Sequence, residues 1–137
     1  MFRKVDDSIS VAGQLSPEDI AEAARQGFTF IINNRPDGEQ PGQPSGAEME
    51  AAARTAGLGY AAIPITHAGF TKEQVTAMAA ALESAPGPVL AFCRSGTRST
   101  FVWALARARA GDDAASLAAK AAGAGYDLTP IGPLLRG

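Results

Sequence analysis

The stretch that most constrains this chain is residues 91–99, Ala-Phe-Cys-Arg-Ser-Gly-Thr-Arg-Ser, which contains its only cysteine, Cys93. The apolar run at 88–92 predicts a buried strand before this cysteine, and the run at 99–106 predicts a helix after the loop. A loop between a strand and a helix turns backbone N–H groups toward the helix N-terminus, where an anion is stabilised. The stretch therefore predicts a unit that presents a thiol to an anionic ligand.

The loop also holds groups that favour a nucleophilic thiol. The helix N-terminus and the guanidinium groups of Arg94 and Arg98 favour the thiolate form of Cys93. Arg98 can present two parallel N–H groups to an oxyanion or a sulfur-bearing anion, and Gly96 permits a positive φ or a close backbone approach. We interpret Cys93 and Arg98 as catalytic. The rest of the anion-binding loop comprises Arg94, Ser95, Gly96, Thr97 and Ser99.

A structural interpretation of the same residues stands beside the functional one. A lone cysteine at a strand end is more often a small buried hydrophobe than a nucleophile, and the side chain of Arg94 could simply face solvent. The arginines directly behind Cys93 favour the functional interpretation. In that case the hydroxyl of Ser99 or Thr100 is expected to donate a hydrogen bond to the thiolate.

Strand and helix patterns alternate along the rest of the chain. Residues 8–15 alternate polar and apolar and predict a first strand, and Ser16 is placed to cap the helix that follows. Further strands are predicted at 28–32 and 60–65, and further helices at 47–56, 71–84 and 114–122. Four alternations of strand and helix predict an α/β fold, with a mainly parallel sheet of four to five strands and helices on both faces.

Three loops follow predicted parallel strands, at 33–46, 66–70 and 93–98. Ligands of such sheets bind beyond the carboxyl ends of the strands, so the three loops are expected to converge. They bring three further candidates for the pocket. Arg35 is a candidate to bind a substrate carboxylate or sulfonate, and Asp37 a candidate to hold its loop. The alternative is that Arg35 pairs with a surface acid and that Asp37 makes a side-chain turn before Gly38. His67 is a candidate to replace a missing acid, although a lone loop histidine is more often a solvated surface group.

Composition excludes several classes of partner. A formal net charge of −2 offers no basic surface of the kind that nucleic acids need, and no apolar run approaches the length that spans a bilayer. A single cysteine excludes an internal disulfide and a cysteine-based metal cluster, so we expect neither a metal nor another cofactor. We expect residues 1–137 to form one domain, without a secretory signal, in the cytoplasm, where a free thiol persists.

Residues 93–98 resemble the active-site loop of rhodanese-type sulfurtransferases, in which four residues separate cysteine and arginine. A wider set of motifs, at 13–16, 32–39, 43–44 and 93–99, is similar to the phosphatase-like domain of bacterial beta-lactamase-hydrolase-like proteins over roughly residues 5 to 110. This resemblance implies a fold similar to dual-specificity protein tyrosine phosphatases. Members of the family include phosphatases and sulfurtransferases, and the resemblance also implies a persulfide dioxygenase as a partner of the latter.

Departures from the phosphatase pattern favour sulfur transfer. Tyrosine phosphatases have five residues between cysteine and arginine, one more than this chain, and a histidine where this chain has Phe92. They also need a general acid, and the stretch 66–69 contains no Asp or Glu. We therefore expect a sulfurtransferase that carries a persulfide on Cys93 and takes a small anionic donor such as thiosulfate or glutathione persulfide. The alternatives are a phosphatase that forms a phosphocysteine and a non-catalytic anion-binding module.

Overall fold

Short strands and helices follow one another through residues 2–136, the part of the chain that the computed structural model describes. The elements are β1 Arg3–Asp6, β2 Ile9–Ala12, α1 Pro17–Arg25, β3 Phe30–Asn33, α2 Gly46–Thr55, β4 Gly59–Ala62, α3 Lys72–Ser84, β5 Val89–Phe92, α4 Thr97–Arg109, α5 Ala114–Gly123, a 3₁₀ turn Thr129–Ile131 and α6 Gly132–Arg136. None of the helices in this part of the chain combines the length and apolar character needed to cross a bilayer.

The five strands form one sheet in the order β1-β2-β5-β3-β4. Strands β2, β5, β3 and β4 run parallel, and β1 pairs with β2 in the antiparallel direction. The last strand in the chain, β5, lies between β2 and β3, so the loops after all three strands open at one edge of the sheet. The prediction of a mainly parallel α/β sheet is confirmed, and Cys93 leaves the central strand.

Helices cover both faces of the sheet, as the alternation predicted. Side chains of β5 alternate between the two faces: Leu90 and Phe92 pack beneath α1 and α2, while Val89 and Ala91 pack beneath α3, α4 and α5. The first layer includes Ile20 and Met49, and the second includes Met78, Val102 and Trp103, all with at most 1% of their surface exposed. Because both faces are buried, β5 is apolar throughout.

The helix starts follow from local capping chemistry. The Ser16 hydroxyl accepts from the N–H of Asp19, whose carboxylate accepts from the N–H of Ser16. Thr71 and Gln74 form the same reciprocal pair at the start of α3. These capping boxes satisfy N–H groups that have no partner within the helix.

The two ends of the chain differ from the prediction. The strand predicted at 8–15 is confined to β2, and β1 at Arg3–Asp6 was not predicted. The sequence of β1 is mostly charged, and the strand forms because its backbone pairs with β2. For residues 127–135 the sequence indicates one short turn of helix, whereas the structure has a 3₁₀ turn followed by α6.

Candidate active site

Cys93 begins the loop that joins β5 to α4, and none of its surface is exposed. Its sulfur accepts a hydrogen bond from the backbone N–H of Gly96, with 3.1 Å between the two atoms. Gly96 is the N-cap of α4 and has a φ of +91°, a conformation that favours glycine. The predicted strand, loop and helix are thus present, and the Gly96 N–H is a backbone donor to the sulfur.

The turn after β2 supports this loop from one side. The backbone N–H of Cys93 donates to the Ala12 carbonyl at 3.3 Å, and the N–H of Gln14 donates to the Arg94 carbonyl at 3.4 Å. A Cβ atom on Gly13 would lie 3.0 Å from that same Arg94 oxygen. A side chain at this position would therefore press on the Cys93 loop.

Arg98 lies in the first turn of α4 and is held by Glu39 and by the carbonyl of Ile65, which directly precedes the loop at 66–70. Its Nη1 donates to Glu39 Oε2 at 2.7 Å and to the Ile65 carbonyl at 2.7 Å, and its Nη2 donates to Glu39 Oε1 at 2.9 Å. A guanidinium group has five N–H bonds. Within residues 2–136 these contacts use three of them, which leaves the Nε–H and one Nη2–H. These two lie on the same edge of the group and form a fork for an anion.

Glu39 links this arginine to a second one. Its Oε1 also accepts from Arg35 Nε at 2.8 Å, so one carboxylate receives N–H bonds from both guanidinium groups. The bonds from Arg98, followed by those from Arg35, lower the pKa of Glu39 from 4.5 to about 2. The bonds to Glu39 raise the pKa of Arg98, and the nearby Cys93 side chain contributes in the same direction. The carboxylate therefore stays ionised and positions Arg98.

The structure corrects the expectation that Arg35 faces the substrate. Its side chain is 2% exposed and donates to Glu39, to Gln14 Oε1 at 3.0 Å and to Gln40 Oε1 at 3.0 Å. All three acceptors belong to the protein, so Arg35 lies behind the site and holds Glu39. Asp37 is exposed and does not line the pocket. Its carboxylate accepts from the N–H of Gly46 at 2.7 Å, and this bond connects its loop to α2.

The expectation that Ser99 or Thr100 donates to the thiolate is also corrected. The Ser99 hydroxyl donates to Asn34 Oδ1 at 2.8 Å, and the Thr100 hydroxyl donates to the Gly96 carbonyl at 2.8 Å. Each hydroxyl has one proton, and both protons lie away from the sulfur. Asn34 is fully buried. Its backbone N–H donates to the Phe92 carbonyl at the end of β5, its Nδ2 donates to the Ile63 carbonyl, and its own carbonyl accepts from the Ile65 N–H beyond β4. Ser99 therefore anchors the base of α4.

The three predicted loops do converge on one open cleft. Its walls are formed by Glu39 from the first loop, the stretch from Thr66 to Phe70 from the second, and the outer part of the Cys93 loop from the third. His67 and Arg94 are exposed on this cleft, and the hydroxyls of Ser95 and Thr97 lie 3.0 Å apart at its rim. Within residues 2–136, no group of three His, Cys, Asp or Glu side chains is placed to hold a metal ion.

Sequence reasoning missed three residues of this arrangement. Glu39 and Gln14 lie within the motifs that carried the family resemblance, so their position in those motifs could have marked them as site residues. Neither was assigned a role. Tyr126 carried no signal of its own. Its hydroxyl donates to the Ser95 carbonyl at 2.9 Å, so it contacts the back of the Cys93 loop from a segment beyond α5.

The mainly parallel sheet, with the Cys93 loop between its central strand and α4, has the fold of protein-tyrosine-phosphatase-like structures. The solved structures agree with this class. Tk-PTP in its active form has a TM-score of 0.69 at 21% identity, covering 90% of this chain and 86% of that one. Pseudomonas aeruginosa TpbA has a TM-score of 0.66 at 19% identity, covering 95% of this chain and 80% of that one. Both show the fold alone.

Within this class, residues 1–111 match the family model of the beta-lactamase hydrolase-like protein, phosphatase-like domain, and the chain belongs to that family. It is 38% identical to a beta-lactamase hydrolase-like protein of Xylella fastidiosa over 101 residues, which is 74% of this chain and 23% of that protein. The corresponding protein of Agrobacterium fabrum is 37% identical over 105 residues, 77% of this chain and 24% of its own length. The chain thus spans about a quarter of the length of the curated relatives that it matches.

A solved structure covers nearly the whole chain. The crystal structure of a "putative phosphatase" from Neisseria meningitidis Z2491 has a TM-score of 0.85 at 32% identity, covering 98% of this chain and 95% of that one. Both the predicted family and the predicted phosphatase-like fold are therefore confirmed. The preference for sulfur transfer finds no support in these similarities, which agree better with the phosphatase alternative.

Proposed function

We propose that this domain hydrolyses phosphate monoesters through a phosphocysteine intermediate on Cys93. The observation that carries the proposal is the edge of Arg98 formed by its Nε–H and one Nη2–H. Within residues 2–136, Glu39 and Ile65 take the other three N–H bonds, and this fork suits two oxygens of a phosphoryl group. The phosphatase-type relatives support the same chemistry. Phosphate is a dianion, and a fork beside the N-terminus of α4 stabilises it.

The proposed reaction has two displacement steps. The Cys93 thiolate attacks phosphorus, a new P–S bond forms, and the P–O ester bond breaks, with the electron pair leaving on the alcohol or phenol oxygen. Water then attacks phosphorus, the P–S bond breaks, and inorganic phosphate and the thiolate are released. Arg98 and the Gly96 N–H stabilise the negative charge at the reacting centre in both steps.

Protonation of the leaving oxygen limits the substrates that we expect. Glu39 keeps a pKa of about 2 because two arginines bind it, so it holds no proton to donate near neutral pH. His67 is the titratable side chain that the second loop brings to the cleft, and it is exposed. We therefore propose that the domain prefers aryl phosphates, whose phenolate leaving groups need little protonation.

Sulfur transfer is a second candidate, favoured by one specific observation. Four residues separate Cys93 and Arg98, and the sulfur has a single backbone donor at 3.1 Å within residues 2–136. A terminal sulfur needs fewer donors than three phosphoryl oxygens. In this reaction the thiolate attacks the outer sulfur of thiosulfate, the S–S bond breaks, and sulfite leaves. Cyanide then attacks the outer sulfur of the Cys93 persulfide, and thiocyanate and the thiolate are released.

Parallel assays of the wild type and of Cys93→Ser separate the two reactions. We expect the wild type to release phosphate from p-nitrophenyl phosphate and Cys93→Ser to release none. Mass spectrometry of acid-quenched wild type should show a phosphoryl adduct of about 80 Da on Cys93. Thiocyanate formation from thiosulfate and cyanide, together with a 32-Da adduct of about one sulfur atom and no phosphate release, would instead support sulfur transfer. Absence of both activities would refute both proposals and leave the anion-binding module.

A further inference from the structure

We propose that Tyr126 is a positioning residue for the nucleophile: its hydroxyl holds the Ser95–Gly96 peptide with the N–H directed at the Cys93 sulfur. The inference concerns the same loop as the proposed function and rests on it only in treating Cys93 as the reacting group. It assigns a role to a residue outside the stretch 1–111 that the family model matches.

The two bonds that define this role belong to one peptide unit. The Ser95 carbonyl accepts from the Tyr126 hydroxyl at 2.9 Å, and the Gly96 N–H donates to the Cys93 sulfur at 3.1 Å. A peptide unit is planar, and its C=O and N–H point in opposite directions. Pinning the oxygen outward on Tyr126 therefore directs the N–H inward at the sulfur.

The backbone at this position needs such a restraint. Gly96 has a φ of +91°, and glycine reaches positive and negative φ with similar ease. Rotation of the peptide by half a turn would direct the Ser95 carbonyl oxygen at the sulfur, where it would repel a thiolate. With the Tyr126 hydroxyl in place, that rotation breaks two hydrogen bonds, and without the hydroxyl it breaks one.

Tyr126 is itself held in position. Its backbone N–H donates to the Ala121 carbonyl at 2.9 Å. The Arg3 guanidinium lies 5.8 Å from the centre of its ring and donates to the Ala124 carbonyl at 3.2 Å. Burial raises the pKa of Tyr126 above its ordinary value of 10.0, so the hydroxyl keeps its proton and acts as a donor. A Cβ on Gly96 would overlap this hydroxyl, which leaves glycine as the residue that fits beneath it.

Tyr126→Phe removes the hydroxyl and keeps the ring. Tyr60→Phe is the matched control, because the other tyrosine is also half-buried and its hydroxyl donates to a backbone carbonyl, that of Gly46, at 3.3 Å. At pH 6 we expect iodoacetamide to alkylate Cys93 about threefold to tenfold more slowly in Tyr126→Phe, the effect of one net hydrogen bond. At a pH where the thiol is fully ionised, the difference should disappear. Tyr60→Phe should match the wild type at both pH values.

A second readout follows the peptide itself. In ¹⁵N-labelled protein the Gly96 amide proton should move upfield in Tyr126→Phe and stay in place in Tyr60→Phe. Equal alkylation rates at pH 6 in Tyr126→Phe and the wild type would overturn the inference, as would an equal slowing in both variants. Alkylation requires no turnover. A domain that alkylates as expected yet releases no phosphate would refute the proposed function while supporting the role of Tyr126.

Discussion

Glu39 is the residue whose replacement tests the site most directly, because it joins the buried Arg35 to the anion-binding Arg98. Lowering its pKa from 4.5 to about 2 corresponds to about 3 kcal/mol of stabilisation of the ionised carboxylate. Glu39→Gln keeps the shape, removes the charge and turns an NH₂ group toward one of the arginines. We expect it to lower the free energy of unfolding by about 2–4 kcal/mol, since Arg35 stays buried without a counter-ion.

The same substitution should reduce turnover by freeing Arg98 from its fixed orientation. We expect kcat/KM for p-nitrophenyl phosphate to fall by roughly 10-fold to 100-fold, the usual cost of a misplaced catalytic group.

Glu50→Gln supplies the control, because that carboxylate accepts from Arg54 Nη2 at 2.6 Å in an exposed i,i+4 pair. Its effect on the free energy of unfolding should stay below about 0.5 kcal/mol. Urea denaturation and steady-state kinetics measure the two quantities. The reasoning fails if Glu39→Gln is no more damaging than Glu50→Gln in both.

Three further outcomes are expected. Arg98→Lys should lower kcat/KM by roughly 10²-fold to 10³-fold in the same assay, since an ammonium group cannot present one pair of N–H bonds to Glu39 and a second pair to an anion. Activity within a few-fold of the wild type would contradict this role of the guanidinium group. Gly13→Ala should slow alkylation of Cys93 with little loss of stability, because its Cβ would lie 3.0 Å from the Arg94 carbonyl oxygen and press on the loop. An unchanged rate would show that the loop moves aside without affecting Cys93. The stabilisation due to Glu39 is fully present above pH 4.5, the ordinary pKa of this carboxyl, and is lost as the pH falls through about 2, its pKa in the folded protein. The free energy of unfolding should therefore decrease over this pH window in the wild type, and less steeply in Glu39→Gln.

Local chemistry made much of the fold predictable. Helix α1 begins where Ser16 was predicted to cap it, and α3 begins at the start of the predicted stretch 71–84, because capping depends on neighbours three residues away. Strand β5 and its loop were predicted because an uninterrupted apolar run indicates a buried strand and Gly96 permits the positive φ of the turn that follows. By contrast, β1 was missed, since its charged residues carry no strand pattern and only pairing with β2 makes them a strand.

Side-chain direction was harder to predict than position. Arg35 was expected to face the substrate, yet its partners Gln14 and Glu39 surround it within the protein. Ser99 was expected to reach the sulfur, yet it donates to Asn34, 65 residues earlier in the chain. A loop sequence specifies which groups are near the site. Which acceptor each group takes depends on segments that only folding brings together.

For the loop of residues 93–98, the sequence by itself determined the chemistry: the thiol of Cys93, a glycine at position 96 that can adopt a positive φ, and the guanidinium group of Arg98. Tertiary structure decided how that chemistry is presented. Glu39 and the Ile65 carbonyl lie 59 and 33 residues from Arg98 in the chain, and they occupy three of its N–H bonds. Because hydrogen bonds are short and directional, only the packed sheet could bring these two acceptors to the same guanidinium group.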